Sequence, residues 1–81
     1  MKTKDGWVNL YVVEDVYSER QGWHRRKTPI DTVSVPNIQW NDEEGFILDE
    51  RIFYETEKLK NIWSRDIDVD SMLIVLEENR N

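Results

Sequence analysis

Apolar residues alternate through the first quarter of the chain. From Trp7 to Tyr17, Val8, Leu10, Val12 and Val16 share one parity, and Trp7, Tyr11, Val13 and Tyr17 share the other. This is the period of a strand that is apolar on both faces, which predicts a central position in a sheet. "SERQG", ending at Gly22, then supplies a turn in which the glycine is free to take positive φ. Trp23 begins a returning strand through the polar "HRRK", which makes a hairpin with a charged second arm.

In "TVSVPNIQW" the apolar positions are 33 and 35, then 38 and 40, so their parity changes across Pro36. Proline donates nothing to a ladder, and the change of parity predicts an edge strand with a bulge at that point. "NDEEG" reads as a second turn, and "FIL" as a short strand or the approach to a helix.

From Asp49 to Trp63 the period becomes helical. Leu59, Ile52, Trp63, Thr56 and Phe53 fall within an arc of about 120°, with Glu50, Glu57 and Asn61 facing away. Asp49 is placed as the N-cap, with Leu48 and Phe53 spaced as a hydrophobic staple. Glu50 in the first turn and Lys58 and Lys60 near the end suit the helix dipole. A strand over "RIFYET" is the competing assignment. The closing run "SMLIVLEE" reads as a buried strand docked under the helix. The expected fold is α+β: one compact domain over residues 1–81, with a small antiparallel sheet of three to five strands and one helix, about 49–63, packed on one face.

Composition sharpens this picture. Val and Ile supply 15 of the 22 Leu, Ile, Val and Phe residues, and alanine is absent, a bias toward pleated surfaces. At 81 residues the core must be small. No cysteine is present, so thiolate chemistry is excluded and a zinc site would rest on one histidine and carboxylates. Asp5, Asn9, Glu14 and Asp15 interrupt the apolar run that a signal peptide needs, and no stretch has the length of a membrane span. The expectation is a soluble, cytoplasmic protein.

The net charge of −6 is unevenly distributed. Residues 1–40 carry six Lys/Arg and five Asp/Glu, whereas residues 41–81 carry five and twelve. The acidic half argues against direct binding to nucleic acid or anionic membrane, and favours steering toward a basic partner. Solubility alone is the competing explanation.

The densest acidic signal is "RDIDVD". Counted from Asp66, aspartates stand at loop positions 1, 3 and 5 and Glu77 at position 12, as in an EF-hand. Position 6 is Ser71 where the loop needs glycine, and "MLIVL" fills positions 7 to 11, so a calcium loop is rejected. A strand explains the segment better: Ile67 and Val69 on one face, Asp66, Asp68 and Asp70 on the other, about 6.7 Å apart. Such a row protects an edge strand from pairing, or meets Lys and Arg on a partner. Asp42, Glu43 and Glu44 form a second cluster, and Glu50, Glu55 and Glu57 add charge along the helix.

Two aromatics join these as candidate contacts. Tyr54 lies opposite the apolar arc, and Trp23 stands beside the basic run; both residue types are enriched at binding hot spots. "WHRRK" also suits phosphate or a single strand by stacking plus cations, though the run is short and the chain acidic. Its plainer reading is the charged arm of a hairpin, equally able to pair with acidic residues of a second copy as a homodimer.

Catalytic residues are sparse. His24 is the only histidine, no serine lies in a nucleophile motif, and the three glycines form no phosphate-cradling loop. The sequence therefore implies a small acidic, non-enzymatic protein-binding module that needs no cofactor or metal. Its contact residues would be Asp66, Asp68, Asp70, Asp42, Glu43, Glu44, Tyr54, Glu57 and Trp23. Its partner would be a basic protein such as a nuclease or another nucleic-acid-processing enzyme, and its role that of an inhibitor or decoy of phage or mobile-element type, with anti-defence activity and nucleic-acid mimicry as the finer guesses. The alternative is an assembly protein that homo-oligomerises through its charged hairpin and sheet edge.

Overall fold

A computed structural model of the chain describes residues 2–78. Strand β1 (Lys2–Ser18) pairs antiparallel with β2 (Gly22–Asn41), which pairs with the two-residue β3 (Gly45–Phe46). Helix α1 (Glu50–Trp63) follows, then a single 3₁₀ turn at Val69–Ser71, and β4 (Met72–Glu78) returns antiparallel to β1. The order is β3-β2-β1-β4. This is the expected α+β architecture, with the doubly apolar first strand inside the sheet.

Both hairpins turn by one device. Ser18 opposes Gly22 and Asn41 opposes Gly45, each across three residues. The first side chain accepts a backbone N–H, Ser18 from Gln21 at 3.1 Å and Asn41 from Glu43 at 2.8 Å. The closing glycine takes positive φ, +67° at Gly22 and +77° at Gly45, which an L side chain resists. "SERQG" and "NDEEG" are thus the same turn written twice.

The two arms read separately in the sequence, "WHRRK" and "TVSVPNIQW", are one 20-residue strand. It stays in register by two bulges. Lys4 opposes Ile38 and Gly6 opposes Val35, so Pro36 and Asn37 share one place opposite Asp5; Leu10 opposes Asp31 and Tyr11 opposes Pro29, which leaves Ile30 extra. Asn37 takes φ +55°, and its N–H donates to the Asp5 carboxylate at 3.1 Å. The expected bulge at Pro36 is therefore present, and it is what puts Val35 and Ile38 on the same face. At about 3.3 Å per residue, a straight 20-residue strand would exceed 60 Å. The whole molecule measures 49 Å along its longest axis, so the bulges bend the ribbon.

Cross-strand partners share a face. Gly6, Val8 and Leu10 therefore lie beside Val35, Val33 and Asp31 on one flank and Glu78, Leu76 and Ile74 on the other. This is the helix-covered face: Val8, Leu10, Val35 and Ile38 are buried with Ile52 and Leu59 of α1, and the Trp63 indole N–H donates to Asp31 at 2.9 Å. The other face, with Trp7, Tyr11, Val13, Tyr17, Trp23, Leu73 and Val75, carries no second layer among the described residues.

Two expectations about elements are corrected. "SMLIVLEE" is an edge strand rather than a fully buried one: among the described residues β4 pairs only with β1, and although Met72, Ile74 and Leu76 pack against the core that the helix covers, all its apolar side chains are partly exposed. Leu48 and Phe53 are 56% and 61% exposed, so Phe53 belongs to no core-facing arc. The arc centres on Ile52 and Leu59, and Phe53 sits about 100° round from Ile52, where β1 and β2 do not reach it.

Candidate functional site

Helix α1 is a rigid platform fixed at several points. Asp49 caps it, accepting the N–H groups of Arg51 and Ile52 at 3.0 and 3.2 Å. The Arg51 guanidinium folds back on the Asp49 carboxylate at 2.9 Å and donates to the carbonyls of Pro36 and Asn37 at 2.8 and 3.1 Å. That hydrogen bond with Arg51 holds the Asp49 carboxyl below the usual aspartate range, against a smaller opposing effect of desolvation. One arginine thus ties the first helical turn to the bulge of β2, a contact no local pattern announces.

Tyr54 projects from the outward face of this helix and is 65% exposed. It is the wall shared by two open clefts. The first, about 380 Å³, lies between the helix and Ser34–Val35–Pro36 of β2 and includes Glu50 and Glu55. The second, about 440 Å³, runs past Glu57, Lys58 and Asn61 to Ile62. The Lys58 ammonium stands 6.0 Å from the centre of the Tyr54 ring, and Phe53 and Ile62 lie exposed on the two flanks. An aromatic ring thus sits between the carboxylates Glu50 and Glu57, with apolar surface to either side. Phe53 and Ile62 are additions the helical wheel misplaced or passed over; centring the arc on Ile52 and Leu59 would have shown both as flanking residues.

The remaining candidates are dispersed. Asp42, Glu43 and Glu44 form the turn between β2 and β3, where Asp42 accepts from the Trp40 indole at 3.3 Å and lies 3.6 Å from the Lys2 ammonium. Asp66, Asp68 and Asp70 belong to the connection from α1 to β4. The strand expected there does not exist: Asp66 N–H donates to Trp63 O at 3.1 Å as the helix unwinds. The Asp68 carboxylate takes the Asp70 N–H at 3.2 Å and caps the 3₁₀ turn. Aspartate hydrogen-bonds its own neighbouring backbone in competition with a ladder, so alternation with Ile67 and Val69 was a misleading cue. Because Lys2 pairs beside the first cluster and Val12 opposes Met72, the two acidic clusters flank points on β1 separated by roughly 33 Å of extended strand. They form no single patch.

Trp23 is 75% exposed at the far end of the molecule. Beyond Val12, β1 loses β4 as a neighbour, and residues 13–18 and 22–27 project as a two-stranded ribbon. Its rungs are Glu14 to Arg26 at 2.7 Å, Asp15 to Arg25 at 3.8 Å, and the Tyr17 and Trp23 rings at 5.7 Å. Two of the cations in "HRRK" are therefore matched within the hairpin. A cleft of about 440 Å³ at its base holds Asp15 and Asp70 together with Arg25 and Lys27.

On the open sheet face the Tyr11 hydroxyl donates to Glu77 at 2.7 Å, and the Lys27 ammonium stands 4.5 Å from its ring centre. The hydrogen bond to Glu77, with desolvation and the carboxylate's charge behind it, raises the phenol above its usual value. Among the described residues no helix is long and apolar enough to cross a membrane. Compared with known proteins, the chain matches no family model, no curated protein and no solved structure significantly.

Proposed function

We propose that the protein is a small, non-enzymatic binding module whose contact surface is the outer face of α1, with Tyr54 at its centre. The partner is a protein with a basic surface, and the role is that of an inhibitor or decoy of the kind phages and mobile elements encode against cytoplasmic enzymes. The observation that carries this reading is the position of Tyr54: exposed, shared by two clefts, and flanked by Glu50 and Glu57 on a helix whose inner face is locked by Ile52 and Leu59. A ring on a rigid support loses little conformational freedom on binding. The net charge of −6 and the acidic groups beyond both ends of the helix support a basic partner, since complementary charge accelerates encounter. A nuclease or polymerase presents such a surface over its nucleic-acid path.

The test is affinity capture on the immobilised protein from nuclease-treated bacterial lysate, eluted by a salt gradient, with Tyr54→Ala in parallel. One stoichiometric basic protein is expected on the wild type, held about 30-fold more weakly by Tyr54→Ala, as for a hot-spot residue. Equal retention by Tyr54→Ala moves the contact off the helix, and capture of no basic protein contradicts the reading.

A further inference from the structure

The sheet has two open edges, the outer side of β4 and the stretch of β2 that the two-residue β3 leaves uncovered, and they are finished differently. On β2, Pro29 and Pro36 have no N–H to offer, Asp31 accepts the N–H of Thr32 at 2.8 Å, and Arg51 occupies the carbonyls of Pro36 and Asn37. These devices blunt an edge against pairing. On β4 the only such device among the described residues is the charge of Glu77 and Glu78 at its end. Its seven residues, "MLIVLEE", contain no proline, lysine or bulge; one side pairs regularly with β1, and the outer backbone pairs with no other strand among the described residues. Leu73 is 39% exposed, and Ile74, Val75 and Leu76 are only partly covered. The expected protection by Asp66, Asp68 and Asp70 is absent too, since they precede this strand.

We propose that β4 pairs antiparallel with β4 of a second copy, across a two-fold axis at Val75, to give one eight-stranded sheet. The register of β4 suits a second copy as the occupant. Centring on Val75 uses all seven residues and sets Ile74 against Leu76 of the other copy on the helix side. It also sets Glu77 against Leu73 and Glu78 against Met72, so no carboxylate opposes another. Helix α1 packs mainly on β1 and β2, and β4 meets the core beneath it through its inward side chains Met72, Ile74 and Leu76, not through its outer backbone. The two open faces then become continuous, with both helices on the opposite side. This interface is independent of the outer face of α1. It also differs from pairing through the charged hairpin, whose Arg25 and Arg26 are matched within the chain.

The experiment is sedimentation of the full chain across concentration and salt, with Val75→Lys, Val75→Glu and an equimolar mixture of the two. The wild type is expected at about twice its 9.8 kDa chain mass. Its association should tighten as salt screens the repulsion between two chains of charge −6. Each variant alone is expected as a monomer with unchanged far-ultraviolet dichroism, because like charges then face each other across the axis. The mixture should recover the dimer. A monomeric wild type, a dimer that salt dissociates, or a dimer that Val75→Lys leaves intact would overturn the proposal.

Discussion

Asp49 shows how much a single side chain does here. It caps α1 and holds Arg51, which in turn fixes the bulge of β2. Replacement by Ala should lower the melting temperature by several degrees, and replacement by Asn, which keeps the cap but not the charge, by less. Because the folded carboxyl is held below its usual range near about 4, its contribution is present above that range. It is lost as pH falls through the lowered folded value, and acid denaturation of Asp49→Asn should lack that component. Tyr11 has the opposite sign. Its phenol is raised by Glu77, so the stabilisation is full below the usual tyrosine value of about 10 and is lost as pH rises through the raised folded value. Ultraviolet titration should show the Tyr11 phenol ionising above the usual tyrosine value, and Glu77→Gln should bring it back toward that value. The cap was legible because it depends on neighbours in sequence; the bond between Tyr11 and Glu77 spans 66 residues and was not.

At the scale of elements, local chemistry and tertiary pairing divide the fold between them. The bulge at Pro36 could be read because apolar residues on both sides displayed the change of parity. The bulge at Ile30 could not, since "HRRKT" before it has no apolar residue to mark a face. For the same reason one strand was read as two. "RDIDVD" failed in the opposite way: its alternation suits a strand, but the aspartates bind their own backbone. Where β1 crosses the core, the packing leaves no slack at Gly6. A methyl group there would lie 2.9 Å from Ile38 Cδ1, 3.1 Å from the Glu77 carbonyl oxygen and 3.2 Å from Phe46 Cζ. The carbonyl is part of the β4 ladder and cannot turn aside. Gly6→Ala should therefore cost about 1–3 kcal/mol, read as a shifted denaturant midpoint with unchanged slope.

Across the whole molecule, the chain builds one covered and one open sheet face, a projecting ribbon, and a helix that turns an aromatic centre outward. The α+β class was legible from periodicity, turn residues and composition; around Tyr54, the sequence marked Glu50 and Glu57 on the same helix but not the exposed Phe53 and Ile62. The other acidic residues are dense in the sequence, whereas the register of β1 sets the two clusters well apart along it. Long-range pairing decides which charges meet, and one chain's spacing does not encode it. The central claim, that the outer face of α1 meets the partner, is tested most directly by hydrogen–deuterium exchange of the free protein against its complex with the captured partner. The account predicts added protection over Glu50–Trp63 and in the adjoining Ser34–Pro36 stretch, with the hairpin ribbon at residues 13–27 unchanged. Protection confined to that ribbon, or to Asp66–Asp70, with α1 exchanging as in the free protein, would contradict it.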